Sequence, residues 1–501
     1  MKRLRGIAWT VVGLLLVAAA VIVVQTQRFR PPAPGERAEL QPAPAIDVER
    51  AARRLGEAIR FRTISMGGDA VRDDAQWDAL HAWLASSYPG VHATLQREQI
   101  AGLTLLYTWQ GADPGLAPIV LMAHQDVVPI NDATLDDWTH PPFDGVVADG
   151  VVWGRGALDD KGGLVGLMEA AETLIDSGFK PERTILLLFG HDEEVGGEGV
   201  RQTVELLRSR KVVPELVLDE GFMVLADFPL TGRPAGVIGV AEKGYLTLKL
   251  TAPAGGGHSS MPPRNSGAVR LARALVALEE KQMAGSLADP PIDDLLRAVA
   301  VDMPWLQRAV LANGWLFSRL VDAQLSTLPS ANALMRTTTA PTMLSGSVKD
   351  NVLPQAASAL VNFRIHPRDS VASVTEHVRE VVAPFAIEIE QAPGVLRAEP
   401  SPIAPTDTHV YRTLEALADW VGQGAPIAPG LVLGATDARH FATLTPAAYR
   451  FMPVIGSPEE IAGFHGTDER LSVANVGRVV EGYARLMVTL AGPPQPGPAT
   501  R

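Results

Sequence analysis

The apolar positions of this chain switch between two spacings. Val48, Ala51, Ala52, Leu55 and Ile59 recur at three- and four-residue intervals, which predicts a helix over 47–60; a second is predicted over 73–84. Short strands are predicted over 93–96 and 103–109. Three uninterrupted apolar runs follow, at 118–123, 184–189 and 216–218, and read as strands buried on both faces. A helical run at 164–175 lies between the first two. Strands alternating with helices imply an α/β fold built on a mostly parallel, helix-covered sheet.

The spacing changes near Lys243. Residues 245–250 alternate polar and apolar, as a strand exposed on one face does. A helix is predicted over 266–279, strands over 330–338, 343–348 and 357–365, a helix over 370–382 and a strand over 387–390. Apart from one extra strand between the two helices, this order is the β-α-β-β-α-β of a ferredoxin-like α+β module. Apolar helical material at 282–324 (Leu295, Leu306, Leu311, Trp315, Leu316) interrupts it. Helices over 411–421 and 473–490 would return to the main sheet, so the module is an insertion.

The first residues form a separate pattern. Met1 to Arg5 is basic, and residues 6–24 carry no charge, about the minimum length that spans a bilayer. The basic end should stay in the cytoplasm, although Arg28 and Arg30 on the far side weaken the bias. Ala18-Ala19-Ala20 could mark a cleaved signal peptide, but the apolar run continues past it, which favours an uncleaved anchor. The organisation expected is a stub and transmembrane anchor at 1–29 and a Pro-rich tether at 30–45. A catalytic domain at 46–242 and 397–491 follows, with an inserted lid domain at 243–396 and a disordered tail at 492–501.

Composition narrows the chemistry. A chain of 501 residues suggests two cores. A net charge of −12 argues against a nucleic-acid partner. Cysteine is absent, so a metal would have to be held by His, Asp and Glu. Such side chains follow all three buried runs: His124-Gln125-Asp126, His191-Asp192-Glu193-Glu194 and Asp219-Glu220. Loops beyond the carboxyl ends of strands form the ligand crevice of open α/β sheets. Between the first two runs, Asp159-Asp160 sits in Gly154-Arg155-Gly156-Ala157-Leu158-Asp159-Asp160-Lys161-Gly162-Gly163, between glycine turns.

Six motifs now stand in order: Ala123-His124-Gln125-Asp126-Val127-Val128-Pro129, the Gly154–Gly162 stretch, Asp192-Glu193-Glu194-Val195-Gly196-Gly197, Leu218-Asp219-Glu220-Gly221, Gly257-His258-Ser259-Ser260 and Phe464-His465-Gly466. In this order the chain, from about Asp47 to Leu490, resembles the zinc metallopeptidases that include aminoacylase, carboxypeptidase S, glutamate carboxypeptidase and succinyl-diaminopimelate desuccinylase. It looks closest to carboxypeptidase S and the secreted N-acyl-amino-acid hydrolases. The resemblance implies two Zn2+, with Co2+ or Mn2+ as substitutes, bridged by Asp159. Two ions about 3.5–4 Å apart need such a shared carboxylate. His124 and Asp219 would complete one site, with Glu220 as the alternative to Asp219; Glu194 and His465 would complete the other. Glu193 would be the general base. Asp126 would accept the far N–H of His124 and set its tautomer. His258, Asn351 and Arg364 resemble substrate contacts of the lid, and Arg439 resembles the arginine that binds a substrate carboxylate. His191 is left as structural.

The resemblance implies a hydrolase of the amide bond to an amino acid with a free carboxylate, acting on short peptides or N-acyl amino acids; the alternative is a reversible N-acyl amino acid synthase/hydrolase acting on lipidic acyl groups. It also implies a homodimer through the lid domain. The anchor would place the catalytic domain on the extracytoplasmic side, or release it if cleaved. A non-catalytic binding ectodomain is disfavoured because every ligand position and the base are filled. A serine hydrolase using Ser259 or Ser260 is disfavoured because no G-x-S-x-G elbow surrounds them.

Overall fold

The computed structural model describes residues 2–31, 38–67 and 72–493. Part of the expected tether (32–37) and most of the expected tail (494–501) lie outside the described residues. The chain forms two compact units. One comprises Gly35–Phe228, Gly232–Glu242 and Ser401–Arg501; the other comprises Met1–Pro34, Pro229–Thr231 and Lys243–Pro400.

The larger unit is built on a ten-stranded sheet. Across it run Gln96–Ile100, Thr104–Trp109, Ile185–Gly190, Ile119–His124, Leu216–Asp219, Ala448–Arg450, Arg233–Glu242, Val224–Phe228 and Ile455–Gly456, with Ile427–Val432 paired to Arg233–Glu242. The three apolar runs and Ala448–Arg450 are parallel neighbours at the centre. They are apolar throughout because both faces are covered. Leu121, Leu187 and Leu218 point into a core with the helices Val48–Ile59, Lys161–Asp176, His409–Gly422 and Val473–Ala491. Val120, Leu186 and Val217 point the other way, against Val200, Val204 and Leu207 of the helix Glu198–Ser209. Fully burying each such side chain contributes about 1.5–3 kcal/mol. The Lys161–Asp176 and Val473–Ala491 helices touch at Gly166, where an added Cβ would lie 2.2 Å from Val479.

The sheet is mixed rather than mostly parallel. Thr104–Trp109 is antiparallel to both neighbours, and the Val224–Phe228 and Arg233–Glu242 hairpin adds a further antiparallel pair. Tight hairpins can only make antiparallel pairs. The strand expected at 93–96 is also displaced: Pro89–Thr94 is a helix with proline in its first turn, and the strand starts at Gln96.

The smaller unit carries a four-stranded antiparallel sheet in the order Thr338–Ser345, Ala356–Ile365, Gly244–Pro253, Glu388–Gln391. Alternate residues Ala357, Ala359, Val361, Phe363 and Ile365 face the helices Gly267–Glu280 and Val371–Val382. Residues 330–335, expected as a strand, instead belong to the helix Pro329–Met335, which has proline in its first turn. The β-branched run Thr337-Thr338-Thr339 leads into one strand, Thr338–Ser345, where two were expected. The helices Ile292–Val299, Trp305–Ala312 and Gly314–Leu325 fill the interruption. The N-terminal helix Lys2–Arg28 belongs to this unit, and its part Trp9–Arg28 is long and apolar enough to cross a membrane.

Candidate metal centre

His124 ends the strand Ile119–His124, and register with Ile185–Gly190 puts it beside Gly190, just ahead of the Glu193-Glu194 turn. Asp160 caps the helix Lys161–Asp176: its carboxylate accepts the Gly163 N–H at 3.1 Å and the His124 N–H at 3.3 Å. This locks the glycine-rich loop against the strand end, and Asp159 then faces His124. Asp159 Oδ1 lies 2.8 Å from His124 Nε2, and Oδ2 lies 2.8 Å from His465 Nε2. His465 Nε2 is 3.4 Å from Glu194 Oε2; His124 Nε2 is 3.9 Å from Glu220 Oε1. Two ligand groups result, His124–Asp159–Glu220 and Asp159–Glu194–His465, each with its ligand atoms within 4.8 Å of one another. Asp159 belongs to both.

Two expected positions are revised. Asp219 does not reach the cluster. Its Oδ1 accepts the Glu220 N–H at 3.0 Å and its Oδ2 the Ala438 N–H at 2.8 Å, and it is Glu220 whose carboxylate is grouped with His124 and Asp159. Asp126 does sit under His124, but it is the Asp126 backbone carbonyl that accepts from Nδ1, at 2.9 Å; the carboxylate is 3.4 Å away. That carboxylate instead accepts the N–H groups of Glu193 and Glu194, each at 3.2 Å. It therefore fixes the turn that presents these two residues.

Charge is out of balance in this cluster. Burial pushes the Glu193 carboxyl well up, and the neighbouring charges of Asp437 and Glu194 add to the effect of burial. Burial likewise raises Glu220, with Asp159 next in effect. Hydrogen bonds that His465 donates to the Asp159 and Glu194 carboxylates raise it to about 10. For His124 burial is the largest influence and lowers it, but Asp126 and Asp159 together outweigh burial and hold the imidazole well above its usual value. Glu194 Oε1 is buried with no hydrogen-bond partner. A surplus of buried carboxylate oxygens, one of them orphaned, with two imidazoles and no thiolate, fits divalent cations of the zinc, cobalt or manganese type.

Glu193 belongs to neither ligand group. Arg439 Nη1 lies 3.8 Å from its Oε1. Arg439 is mostly buried and donates from Nη1 to the Thr436 carbonyl (3.0 Å) and from Nη2 to the Gly196 carbonyl (2.8 Å), while its buried Nε has no protein acceptor. Asp437 stands against this turn, and both its oxygens lack hydrogen-bond partners. An added Cβ on Gly197, whose φ is +67°, would meet Asp437 Oδ1 at 1.8 Å.

Sequence reasoning missed Glu469. Its Oε1 accepts the N–H groups of Leu158 (2.9 Å) and Asp159 (3.0 Å), and its Oε2 is 2.6 Å from Arg155 Nη1. Arg155 also donates to the Gly466 carbonyl at 2.9 Å. This fully buried pair ties the loop of Asp159 to the loop of His465 across more than 300 residues. Breaking a buried pair by removing one partner costs about 3–5 kcal/mol, and lost support behind metal ligands costs about 10–100-fold in metal affinity. Glu469→Gln should show both losses, read by chemical denaturation of the metal-free protein and by zinc titration. Unchanged values in both would contradict the role.

His191 bonds Thr104 Oγ1 at 2.7 Å and joins neither ligand group. His258, Asn351 and Arg364 belong to the smaller unit. The backbone pairs His258 with Val352, and Ser259 N–H donates to the Asn351 carbonyl at 3.2 Å, so His258 and Asn351 share one exposed tip. His258 Nδ1 accepts the Ser260 N–H at 3.1 Å. The neutral ring therefore carries its proton on Nε2, as an exposed donor. Arg364 lies over the ring of Tyr245, 4.6 Å from its centroid.

The sequence pattern of Peptidase family M20/M25/M40 matches residues 120–489. Probable carboxypeptidase S-like 2 of Dictyostelium discoideum is 36% identical over 447 residues, 88% of this chain and 85% of that protein. N-fatty-acyl-amino acid synthase/hydrolase PM20D1 of Homo sapiens is 36% identical over 472 residues, 92% of each chain. The crystal structure of the M20 family metallo-carboxypeptidase Sso-CP2 from Sulfolobus solfataricus superposes with a TM-score of 0.63 at 18% identity, covering 87% of this chain and 98% of that one. Human carnosine dipeptidase 1 gives 0.61 at 16% identity, covering 89% and 99%. These two structural likenesses concern the fold.

Proposed function

The chain belongs to Peptidase family M20/M25/M40, and on that premise we propose that it is a dinuclear zinc hydrolase of the amide bond to an amino acid whose carboxylate is free. The observation that carries this reading is the position of Asp159, each of whose oxygens is 2.8 Å from a different imidazole. His124 and Glu220 would hold one ion, Glu194 and His465 the other, and Asp159 both. When bound, the ions would supply Lewis acidity toward the scissile carbonyl and lower the pKa of the attacking water.

The remaining roles fall to the chain's own groups. Glu193 takes a proton from the attacking water and delivers it to the leaving amine. Asp126 holds the turn that aims Glu193. His258 Nε2–H donates to the carbonyl oxygen as negative charge develops on it, with Asn351 and Arg364 as further contacts of the lid. Arg439 takes the substrate carboxylate, and its unpartnered buried Nε supports this assignment. The relatives named above are a carboxypeptidase S-like protein and a synthase/hydrolase of N-fatty-acyl amino acids. Either kind of substrate presents an amide and a free carboxylate to such a site, and the reverse condensation uses the same groups.

The carboxylate requirement is the test. Wild type should prefer an N-acyl amino acid over its carboxamide, and Arg439→Ala should erase most of that preference in kcat/KM. Arg439→Lys should be damaging too, because an ammonium lacks the planar fork. No preference in wild type would defeat the reading. A preference that survives the mutation would move the clamp to Arg364.

We further assign the helix Lys2–Arg28 as an uncleaved anchor that places both units on the extracytoplasmic side. Its packing against the rest of the smaller unit supports retention: Trp315 Nε1 donates to Gln25 Oε1 at 2.9 Å, and just past the helix end Arg297 lies over the Phe29 ring, 4.8 Å from its centroid.

A further inference from the structure

The helices Trp305–Ala312 and Gly314–Leu325 show a feature that hydrolysis does not use. Val301, Trp305, Leu306, Trp315, Leu316 and Leu320 are each at least half exposed, within twenty residues of chain. Soluble surfaces seldom gather large apolar side chains so densely. The charged residues among them are only Asp302, Arg308 and Arg319.

Their place in the fold says what covers them. Asn313, at the junction of the two helices, is fully buried; its Nδ2 donates to the Ala309 carbonyl at 2.8 Å and lies 3.4 Å from both the Ile22 carbonyl and Thr26 Oγ1. Trp315 is bonded to Gln25. The junction is thus fastened to the last turns of the N-terminal helix. The apolar run of that helix ends at Val24, and Gln25, Thr26 and Gln27 lead to the first charge at Arg28. Residues 22–26 of a helix crossing a bilayer stand at the level where hydrocarbon meets headgroups, and whatever packs on them stands there too. Trp side chains favour that layer.

From this continuity we propose that the two helices are a second, monotopic membrane contact, seated in the interfacial layer of the same bilayer beside the anchor. Their apolar side chains enter the acyl boundary, to a depth of about 5–10 Å in such contacts, and Arg319 meets lipid phosphates. The smaller unit is then held against the membrane rather than swinging from its anchor. The proposal rests on the reading of Lys2–Arg28 as a membrane helix.

The absence of cysteine makes the test clean. Full-length single-cysteine variants Leu15→Cys, Leu306→Cys, Leu320→Cys and Val213→Cys are labelled with nitrobenzoxadiazole and reconstituted in phosphatidylcholine–phosphatidylglycerol vesicles, with and without doxyl-labelled lipid. Turnover of each labelled variant checks its fold. The labels at 306 and 320 should shift to the blue and lose intensity to doxyl lipid as the label at 15 does, while the label at 213, on an exposed loop of the larger unit, should do neither. If 15 is quenched but 306 and 320 behave like 213, the second contact is overturned and the anchor stands. If none of the four is quenched, the anchor reading fails and the inference with it.

Discussion

Glu193→Gln should retain its full complement of metal and lose about 10²–10⁴-fold in kcat, the usual cost of removing a general base. Glutamine keeps the shape of the side chain and the backbone N–H that Asp126 holds at 3.2 Å. What it loses is the ability to accept a proton. Glu193 lies outside both ligand groups, so metal content should not change. KM should change little, because no substrate contact is assigned to this carboxylate. Metal analysis beside steady-state kinetics reads the two quantities separately. Turnover near that of wild type would remove Glu193 from the mechanism, and a parallel loss of metal would make it a ligand instead.

The second large effect is expected at Asp159. Asp159→Ala removes both oxygens that face the two imidazoles. Loss of a supporting group behind a ligand already weakens metal binding by about 10–100-fold. Loss of the shared carboxylate should exceed that for both ions and abolish turnover at ordinary zinc concentrations. Single changes to the neighbours should separate the sites. Glu220→Gln should weaken one ion only. Asp219→Asn should act through the fold instead, because its carboxylate is held by the N–H groups of Glu220 and Ala438. Zinc titration of the three variants tests the order. Retention of two tightly bound ions by Asp159→Ala would break the bridging assignment.

Sequence pattern carried the site a long way because its parts are local. The buried strands are legible as apolar runs, and metal-type side chains follow directly where those runs stop. The helix behind Asp160 shows its own cap. The choice between Asp219 and Glu220 was not legible. Neighbours at a strand end point in opposite directions, and the group that captures Asp219 comes from Ala438, more than 200 residues away. Glu469 was invisible for the same reason: its partners Leu158, Asp159 and Arg155 are brought to it by the fold. Asp126 shows that a carboxylate beside a histidine can serve the next loop while its backbone carbonyl serves the ring. The mixed sheet escaped because an apolar run shows that a strand is buried but not its direction, and Thr104–Trp109 takes its antiparallel place beside Ile185–Gly190 through pairing between residues about 80 apart in sequence. The helix Pro329–Met335 escaped because a short apolar stretch before a β-branched run reads as strand until its proline is taken as a first-turn residue.

The central claim is that two ions, shared through Asp159, make this site a hydrolase. The most direct measurement is elemental analysis of the purified full-length protein, paired with turnover of an N-acyl amino acid before chelation, after chelation and after zinc is restored. The account predicts about two ions per chain, in keeping with the two-metal pattern, with activity lost on their removal and regained on their return. Full activity in a preparation that holds no metal, or turnover untouched by complete chelation, would contradict it.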